Sequence, residues 1–180
     1  MSNKPTTEDI LTAKAAVPEG GIETNRQYLT FRLEQQHYGV PINCVEQIIN
    51  MPPIIEVPGY PDYAKGIVDL RGSIVPIIDL RMRLGRTEGE YTERTCIVIM
   101  RIGDQQQGYI VDEVDAVVVV NDSQLEPPPH MKDVAEDKRY LTGIARLPGD
   151  NGVGEKIVLC LEPSKIELED KPKEAANTVG

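Results

Sequence analysis

The amino-acid sequence predicts an all-β protein with about eight to ten short strands. Apolar runs of strand length recur along the chain, and turn residues separate them at short, fairly regular intervals. The chain has no Trp and one Phe, so its core depends on Val, Ile and Leu, and no long amphipathic helical pattern is present. These features favour a β-sandwich or small β-barrels over an alternating α/β fold.

The first predicted element is a hairpin over residues 27–42. Apolar and polar residues alternate in both of its arms, which the polar turn EQQH separates. Asn43 and Glu46 then stand at the N-cap and N3 spacing, apolar residues follow at helical spacing, and Pro52-Pro53 ends the segment. This segment is predicted to form a helix of about one or two turns between strands.

The clearest hairpin signal is GIVDL-RG-SIVPIIDL, in which two apolar strands flank Arg71 and Gly72. Gly72 supplies the positive φ that a tight turn needs. Pro76 marks a bulge or an edge position, because proline cannot donate to a strand ladder. The residues that follow, DLRMRLG, predict a short helix or a turn ended by Gly85.

The second half of the chain predicts further hairpins. TCIVIMRI and GYIVDEV flank the turn GDQQQ, and the Val-rich run DAVVVV predicts a strand buried on both faces or bent at a barrel corner. YLTGIARL and KIVLCLE predict two more strands joined by the loop PGDNGVGE. The segment PSKIELE predicts a short terminal helix.

The two ends of the chain differ in composition from the middle. Residues 1–25 are rich in small and polar residues, which predicts a flexible N-terminal tail with at most a transient helix. Residues 170–180 predict a second flexible tail. The folded domain is therefore expected to span residues 26–169.

Charge and hydropathy exclude several classes of partner. The net charge of −10 repels a nucleic-acid backbone, and no cluster of Lys or Arg overrides it. The N-terminus lacks the apolar region of a secretory signal, and no apolar run is long enough to span a bilayer. The sequence therefore predicts a cytoplasmic protein that neither binds nucleic acid nor inserts directly into a membrane.

No catalytic or metal-binding motif is recognisable, and we expect neither enzyme activity nor a cofactor. Cys44, Cys96 and Cys160 lie in apolar runs with wide spacing and are interpreted as small buried hydrophobic residues. His37 is placed in a hairpin turn and His130 after three prolines, so both are expected at the surface. The acidic pair Asp112-x-x-Asp115 is better explained by solvated or turn-stabilising carboxylates than by a cation site.

Several stretches together resemble the CheW family: YLTFRLEQQHYGVPINCVEQII, YAKGIVDLRGSIVPIIDLRMRLG, GYIVDEVDAVVVV and YLTGIA. The segment from Gly66 to Arg81, G-x-x-x-L-R-G-x-x-x-P-x-x-D-L-R, is the most specific part. The resemblance implies two small five-stranded, SH3-like β-barrel subdomains around a shared hydrophobic core. It also implies a non-catalytic adaptor that links the CheW-like regulatory domain of the histidine kinase CheA to the cytoplasmic tips of chemoreceptors in membrane-associated arrays.

The resemblance further implies a set of protein-binding positions. Gly66, Arg71, Gly72 and Ile74 match the stretch associated with receptor and kinase coupling. The remaining positions lie near the first helical turn and in the second half of the chain: Val45, Ile48, Gly108 and Val114.

Each of these positions also has a structural interpretation. An Arg beside a Gly at a hairpin tip offers a bidentate donor fork to a partner, or it forms a salt bridge within the hairpin. Gly66 and Gly72 are expected to meet a backbone requirement rather than to touch a partner. Val45, Ile48 and Ile74 are equally compatible with core packing.

The chain departs from the family pattern at its C-terminal end, in the length of the GDNGVGE loop and in its two extended tails. These departures leave the chemoreceptor class and the particular chemosensory pathway open. The chain is alternatively an adaptor of another chemosensory system, such as one that controls pili or second-messenger synthesis. A small enzyme or ligand-binding β-barrel is the more distant alternative, and it would require a deep pocket with converging polar groups.

Overall fold

A computed structural model describes residues 4–15, 25–129 and 139–169. This part of the chain has two α-helices, α1 (Thr7–Ala15) and α2 (Leu80–Arg83), and eleven strands. The strands are β1 (Asn25–Leu33), β2 (Gln36–Pro41), β3 (Val45–Asn50), β4 (Ala64–Leu70), β5 (Ser73–Asp79), β6 (Cys96–Ile102), β7 (Gln105–Val111), β8 (Glu113–Asn121), β9 (Leu125–Glu126), β10 (Leu141–Pro148) and β11 (Glu155–Leu161). Short 3-10 turns occur between several of them.

The first sheet, sheet A, has six strands in the order β8-β1-β2-β11-β10-β9. Strand β1 pairs antiparallel with both β2 and β8, and the hairpin β10–β11 joins the sheet through a parallel pairing of β11 with β2. A register shift opposite Thr30 and Phe31 marks a bulge in β8 at Asp115. Sheet A therefore contains strands from both the N-terminal and the C-terminal part of the folded domain. Local hairpin patterns do not predict this long-range pairing.

The second sheet, sheet B, has five strands in the order β3-β6-β7-β5-β4. Strand β5 pairs antiparallel with β4 along its length and parallel with β7 from Ile77 onward. Pro76 therefore lies just before the residues that need a second ladder of hydrogen bonds, which agrees with the predicted special position of this proline. The chain crosses from sheet B to sheet A between β7 and β8, at Asp112.

The core lies between the two sheets and is shared by them. Phe31 and Tyr38 from sheet A stack with ring centroids 6.2 Å apart, and they belong to one buried cluster with Val98 and Tyr109 from sheet B. Each fully buried side chain of this size stabilises the fold by about 1.5–3 kcal/mol relative to exposure. The predicted all-β class with two β subdomains, a shared core and short helices is confirmed. Sheet A has one strand more than expected, because the two-residue strand β9 extends its edge.

Two local predictions are wrong in part. Asn43 lies within a 3-10 turn, Ile42–Cys44, and strand β3 follows it directly in place of the predicted α-helix. Ile48 and Ile49 pair there with β6, and this tertiary pairing outweighs the helical spacing of their side chains.

The predicted N-terminal tail also contains packed structure. Residues Thr7–Ala15 form helix α1, and Ile10 has no solvent exposure, because the helix packs against the edge of sheet B. The rest of the predicted tails, residues 1–3, 16–24 and 170–180, lies outside the described residues.

Candidate protein-binding surface

The β4–β5 hairpin ends in a two-residue turn formed by Arg71 and Gly72. Their φ angles of 52° and 89° match a type I′ turn, in which both central residues have positive φ. The amide of Gly72 donates to Asp69 Oδ1 at 2.8 Å, and this bond holds the turn in place. The hairpin predicted from the sequence is therefore present, with Arg71 at its tip.

An apolar strip with two exposed and two half-buried residues runs along the outer face of this hairpin. Val68 and Val75 point into the core, so strand alternation turns their neighbours Ile67 and Ile74 to the outer face. Ile74 is 59% exposed and Ile55 is 61% exposed. Register places Ile67 opposite both Ile55 and Pro76, which makes the strip continuous across three chain segments. We call these four residues, Ile55, Ile67, Ile74 and Pro76, the outer strip.

Arg71 offers an unpaired cation at the end of the outer strip. Its side chain is exposed, and its guanidinium forms neither an ion pair nor a hydrogen bond within the described part of the chain. Arg71 is interpreted from the sequence either as a partner contact or as part of a salt bridge within the hairpin. The salt bridge has no acidic partner among the described residues. The charged end of the side chain is available to a ligand or partner.

The other predicted binding positions lie apart from this tip. Val45 and Val114 are 0% and 2% exposed and belong to the shared core. Gly108 faces the sheet B core, where an added Cβ would lie 2.7 Å from the Cδ1 atom of Ile77. Ile48 is half-buried beneath α1. The role of these residues as partner contacts stays a prediction, and their positions favour packing.

Gly66 meets the expected backbone requirement. Its φ of 143° and the 2.0 Å separation between a built Cβ and the carbonyl oxygen of Ile55 exclude any larger residue. The glycine lets the segment around Ile55 pair with β4, and so it supports the outer strip without a side chain of its own. The sequence analysis missed Ile55 and Ile67, although the apolar pair after Pro52-Pro53 was a local signal for Ile55.

Ion pairs, rather than a cation site, account for the two conspicuous aspartates. Asp112 binds Arg81, with Nε 2.8 Å from Oδ1, and Asp115 accepts from Lys156 at 2.8 Å. No group of three or more His, Cys, Asp or Glu side chains that is able to hold a metal ion occurs within residues 4–15, 25–129 and 139–169. The same part of the chain has no helix long and apolar enough to cross a membrane.

His37 lies in strand β2, whereas the sequence predicts it in a hairpin turn. His37 Nδ1 lies 3.2 Å from Asp115 Oδ2, and the same carboxylate binds Lys156. Burial of the ring lowers the pKa of His37, the charge of Lys156 lowers it further, and Asp115 opposes both effects. This shift favours the neutral ring, which lies beside the Lys156–Asp115 ion pair on sheet A, and its Nδ1 has no hydrogen-bond partner among the described residues. His130 lies outside the described residues.

The three thiols have the character of buried hydrophobic groups. Cys96 and Cys160 are 8% and 0% exposed, and Cys44 is half-buried. Burial raises the pKa of all three, that of Cys160 to about 11. This outcome agrees with the interpretation of the cysteines made from the sequence.

The fold and this surface define a class of protein: a two-sheet β domain with an apolar strip and a free cation at one hairpin tip. Comparison with known proteins names the family. A model of the CheW-like domain matches residues 27–169. The chain therefore belongs to the CheW-like family and is a chemotaxis coupling adaptor.

Individual relatives agree with this assignment. The chemotaxis protein CheW of Klebsiella aerogenes is 31% identical over 146 residues, which cover 81% of this chain and 84% of the relative. The CheW protein of Bacillus subtilis is 35% identical over 108 residues, covering 60% and 69% of the two chains. The crystal structure of the scaffolding protein TtCheW from Thermoanaerobacter tengcongensis superposes with a TM-score of 0.66 at 29% identity, covering 76% of this chain and 88% of that one.

Proposed function

We propose that this protein couples the histidine kinase CheA to the cytoplasmic tips of chemoreceptors, and that it acts in the cytoplasm at receptor arrays. Family membership supports an adaptor role. The observation that carries the finer proposal is the pairing of the outer strip with the unpaired Arg71 at one hairpin tip. No catalytic step is required, since binding of two partners by one rigid domain is enough to link them.

The hairpin tip suits a helical partner that carries carboxylates. A guanidinium donates two parallel hydrogen bonds to one carboxylate, and such charge-assisted bonds are stronger than neutral ones. The protein carries a net charge of −10, so a free Arg is a local exception on an acidic surface and gives orientation to an approaching acidic helix. Ile74 beside it supplies the apolar anchor that such contacts need.

Coupling follows from simultaneous occupancy of two surfaces. The receptor tip takes the hairpin end, and the kinase regulatory domain takes a separate surface of the domain. Once both are bound, each holds the other at high effective concentration, and the affinity for one partner depends on the state of the other. Individual contacts need only modest affinity, because an array multiplies them.

Calorimetric titration with the isolated regulatory domain of CheA from the same organism tests the kinase part of the proposal. A receptor-tip fragment is then titrated into the preformed complex to test simultaneous binding. We expect micromolar or tighter binding at a defined ratio for the kinase domain, followed by binding of the receptor fragment without release of the kinase domain. Absence of binding to both partners by a folded sample would overturn the proposal and favour an adaptor of another chemosensory system.

A further inference from the structure

The outer edge of strand β3 is covered by a helix instead of a strand. Strand β3 is the edge of sheet B, and the main-chain N–H and C=O of Ile48 point away from β6. Thr7 satisfies both of them: its Oγ1 accepts from the Ile48 amide at 3.2 Å and donates to the Ile48 carbonyl at 3.4 Å. One hydroxyl thus occupies the pair of sites that the backbone of a neighbouring strand would take.

A small apolar contact holds helix α1 in this place. Ile10 is completely buried and Ala13 is 9% exposed, whereas Leu11 on the opposite face is 55% exposed. Thr6 and Asp9 close the start of the helix with reciprocal hydrogen bonds. The interface thus depends chiefly on Ile10 and on the Thr7 hydroxyl.

These features make α1 suited to reversible detachment. A helix of nine residues is too short to be stable in isolation, so its structure depends on docking. Detachment leaves the Ile48 backbone groups free to bond with water or with another strand, and it uncovers the half-buried Ile48 side chain. Residues 16–24, AVPEGGIET, join α1 to β1 and span up to about 30 Å when extended, so a detached helix remains tethered.

We propose that α1 is a removable cover for the edge of β3, and that it competes with a strand edge of the kinase regulatory domain for this site. The proposal rests on the proposed function for the identity of the partner. A β-rich domain is favoured over a receptor tip, because only an extended segment has unpaired backbone groups to offer, whereas those of a helix are used internally. Helix α1 would thereby lower the affinity for the kinase domain and leave the surface at the hairpin tip unchanged.

Amide hydrogen exchange on the full chain tests the cover without any partner. If α1 opens locally, the amide of Ile48 exchanges faster than the amide of Ile49, which faces β6 by strand alternation. Thr7→Val removes both hydrogen bonds at nearly constant shape and should accelerate exchange at Ile48 about fivefold. Thr7→Ser retains the hydroxyl and serves as the matched control. Exchange of Ile48 only at the rate of global unfolding would overturn the proposal.

Kinase binding is then compared in an opened and a locked form. Thr7→Val should raise the affinity for the regulatory domain about fivefold, in proportion to the larger open fraction. For the locked form, Lys14→Cys is joined to the native Cys44 by a short bismaleimide, because α1 contacts the 3-10 turn that contains Cys44 and the charge of Lys14 acts on that thiol. Crosslinking should weaken kinase binding at least tenfold relative to the same variant without crosslinker.

The control outcomes separate this proposal from the proposed function. Leu11→Ala, on the exposed face of α1, should leave kinase binding unchanged, and the receptor fragment should bind the opened and locked forms equally. Equal affinity of the kinase domain for the opened and locked forms would overturn the proposal that α1 competes with it. The proposal would also fail if the affinity for the receptor fragment differed between the two forms. If neither partner binds any form, the proposed function fails and so does the competition with the kinase, whatever the exchange at Ile48 shows.

Discussion

The guanidinium of Arg81 binds the carboxylate of Asp112 through both of its oxygen atoms, and this ion pair ties helix α2 to the point where the chain crosses between the sheets. Both side chains are largely shielded from solvent, with 19% and 27% exposed. Asp112 also accepts from the amide of Glu34 at 2.6 Å, in the turn between β1 and β2. The pair therefore fixes the two sheets relative to each other.

We expect Arg81→Ala to lower the free energy of unfolding by about 1.5–3 kcal/mol, because it removes charge-assisted bonds and leaves Asp112 without its cation. Urea denaturation measures the change. A double-mutant cycle with Asp112→Ala should give a coupling energy well above zero. Strictly additive losses would show that the two residues stabilise the fold independently.

Gly66→Ala should destabilise the fold by about 2–4 kcal/mol, because the methyl group meets the Ile55 carbonyl and the backbone must keep a positive φ. Gly72→Ala is the matched comparison. It also has positive φ, but nothing lies within 4 Å of the added carbon, so a loss of only about 1–2 kcal/mol is expected. Thermal and urea denaturation measure the free energy of unfolding of both variants. Equal losses would contradict the close approach of the Ile55 carbonyl at Gly66.

Arg71→Glu should weaken binding of a receptor-tip fragment at least tenfold while unfolding stays within about 0.5 kcal/mol of the parent protein. The reason is that this guanidinium has no intramolecular partner to lose among the described residues. Arg94→Glu, an exposed Arg in the loop before β6, makes the same change of charge away from the hairpin tip. Unchanged affinity in folded Arg71→Glu would remove Arg71 from the binding surface.

The stability of the protein should depend on pH through His37. Its folded pKa lies below the ordinary value of 6.5, so between the two values the unfolded chain binds more protons than the folded one. The free energy of unfolding therefore rises with pH across this window. The contribution of neutral His37 to it is fully present above pH 6.5 and is lost as the pH falls toward the folded pKa.

His37→Gln should flatten this dependence, and Lys156→Met should raise the pKa of His37, because it removes a cation and frees Asp115. Urea titrations at several pH values measure the first effect, and an NMR titration of the imidazole signals measures the second. A pKa that falls in Lys156→Met would refute the assignment of Lys156 as a lowering charge.

The local elements of this protein were predictable from the sequence, because they depend on patterns within a few residues of each other. Alternation in residues 27–42 predicts the β1–β2 hairpin, and Arg71-Gly72 between apolar runs predicts the next tight turn. The segment DLRMRLG predicts a short helix or turn, and helix α2 forms there, with the Asp79 carboxylate accepting from the Met82 amide at its start. The order of these elements also carried the family resemblance, which the match over residues 27–169 confirms.

Tertiary structure decided what depends on distant partners. The sequence VEQIIN has helical spacing but becomes strand β3, since β6 offers it a ladder of hydrogen bonds. Helix α1 is too short to be stable alone. It forms because the edge of β3 has unpaired backbone groups and because Ile10 becomes fully buried when the helix docks there. Ile55 lies opposite Ile67 in the outer strip only because Gly66 admits its backbone against β4. Sequence periodicity sets which face of an element is apolar, whereas packing decides which of those faces is left for a partner.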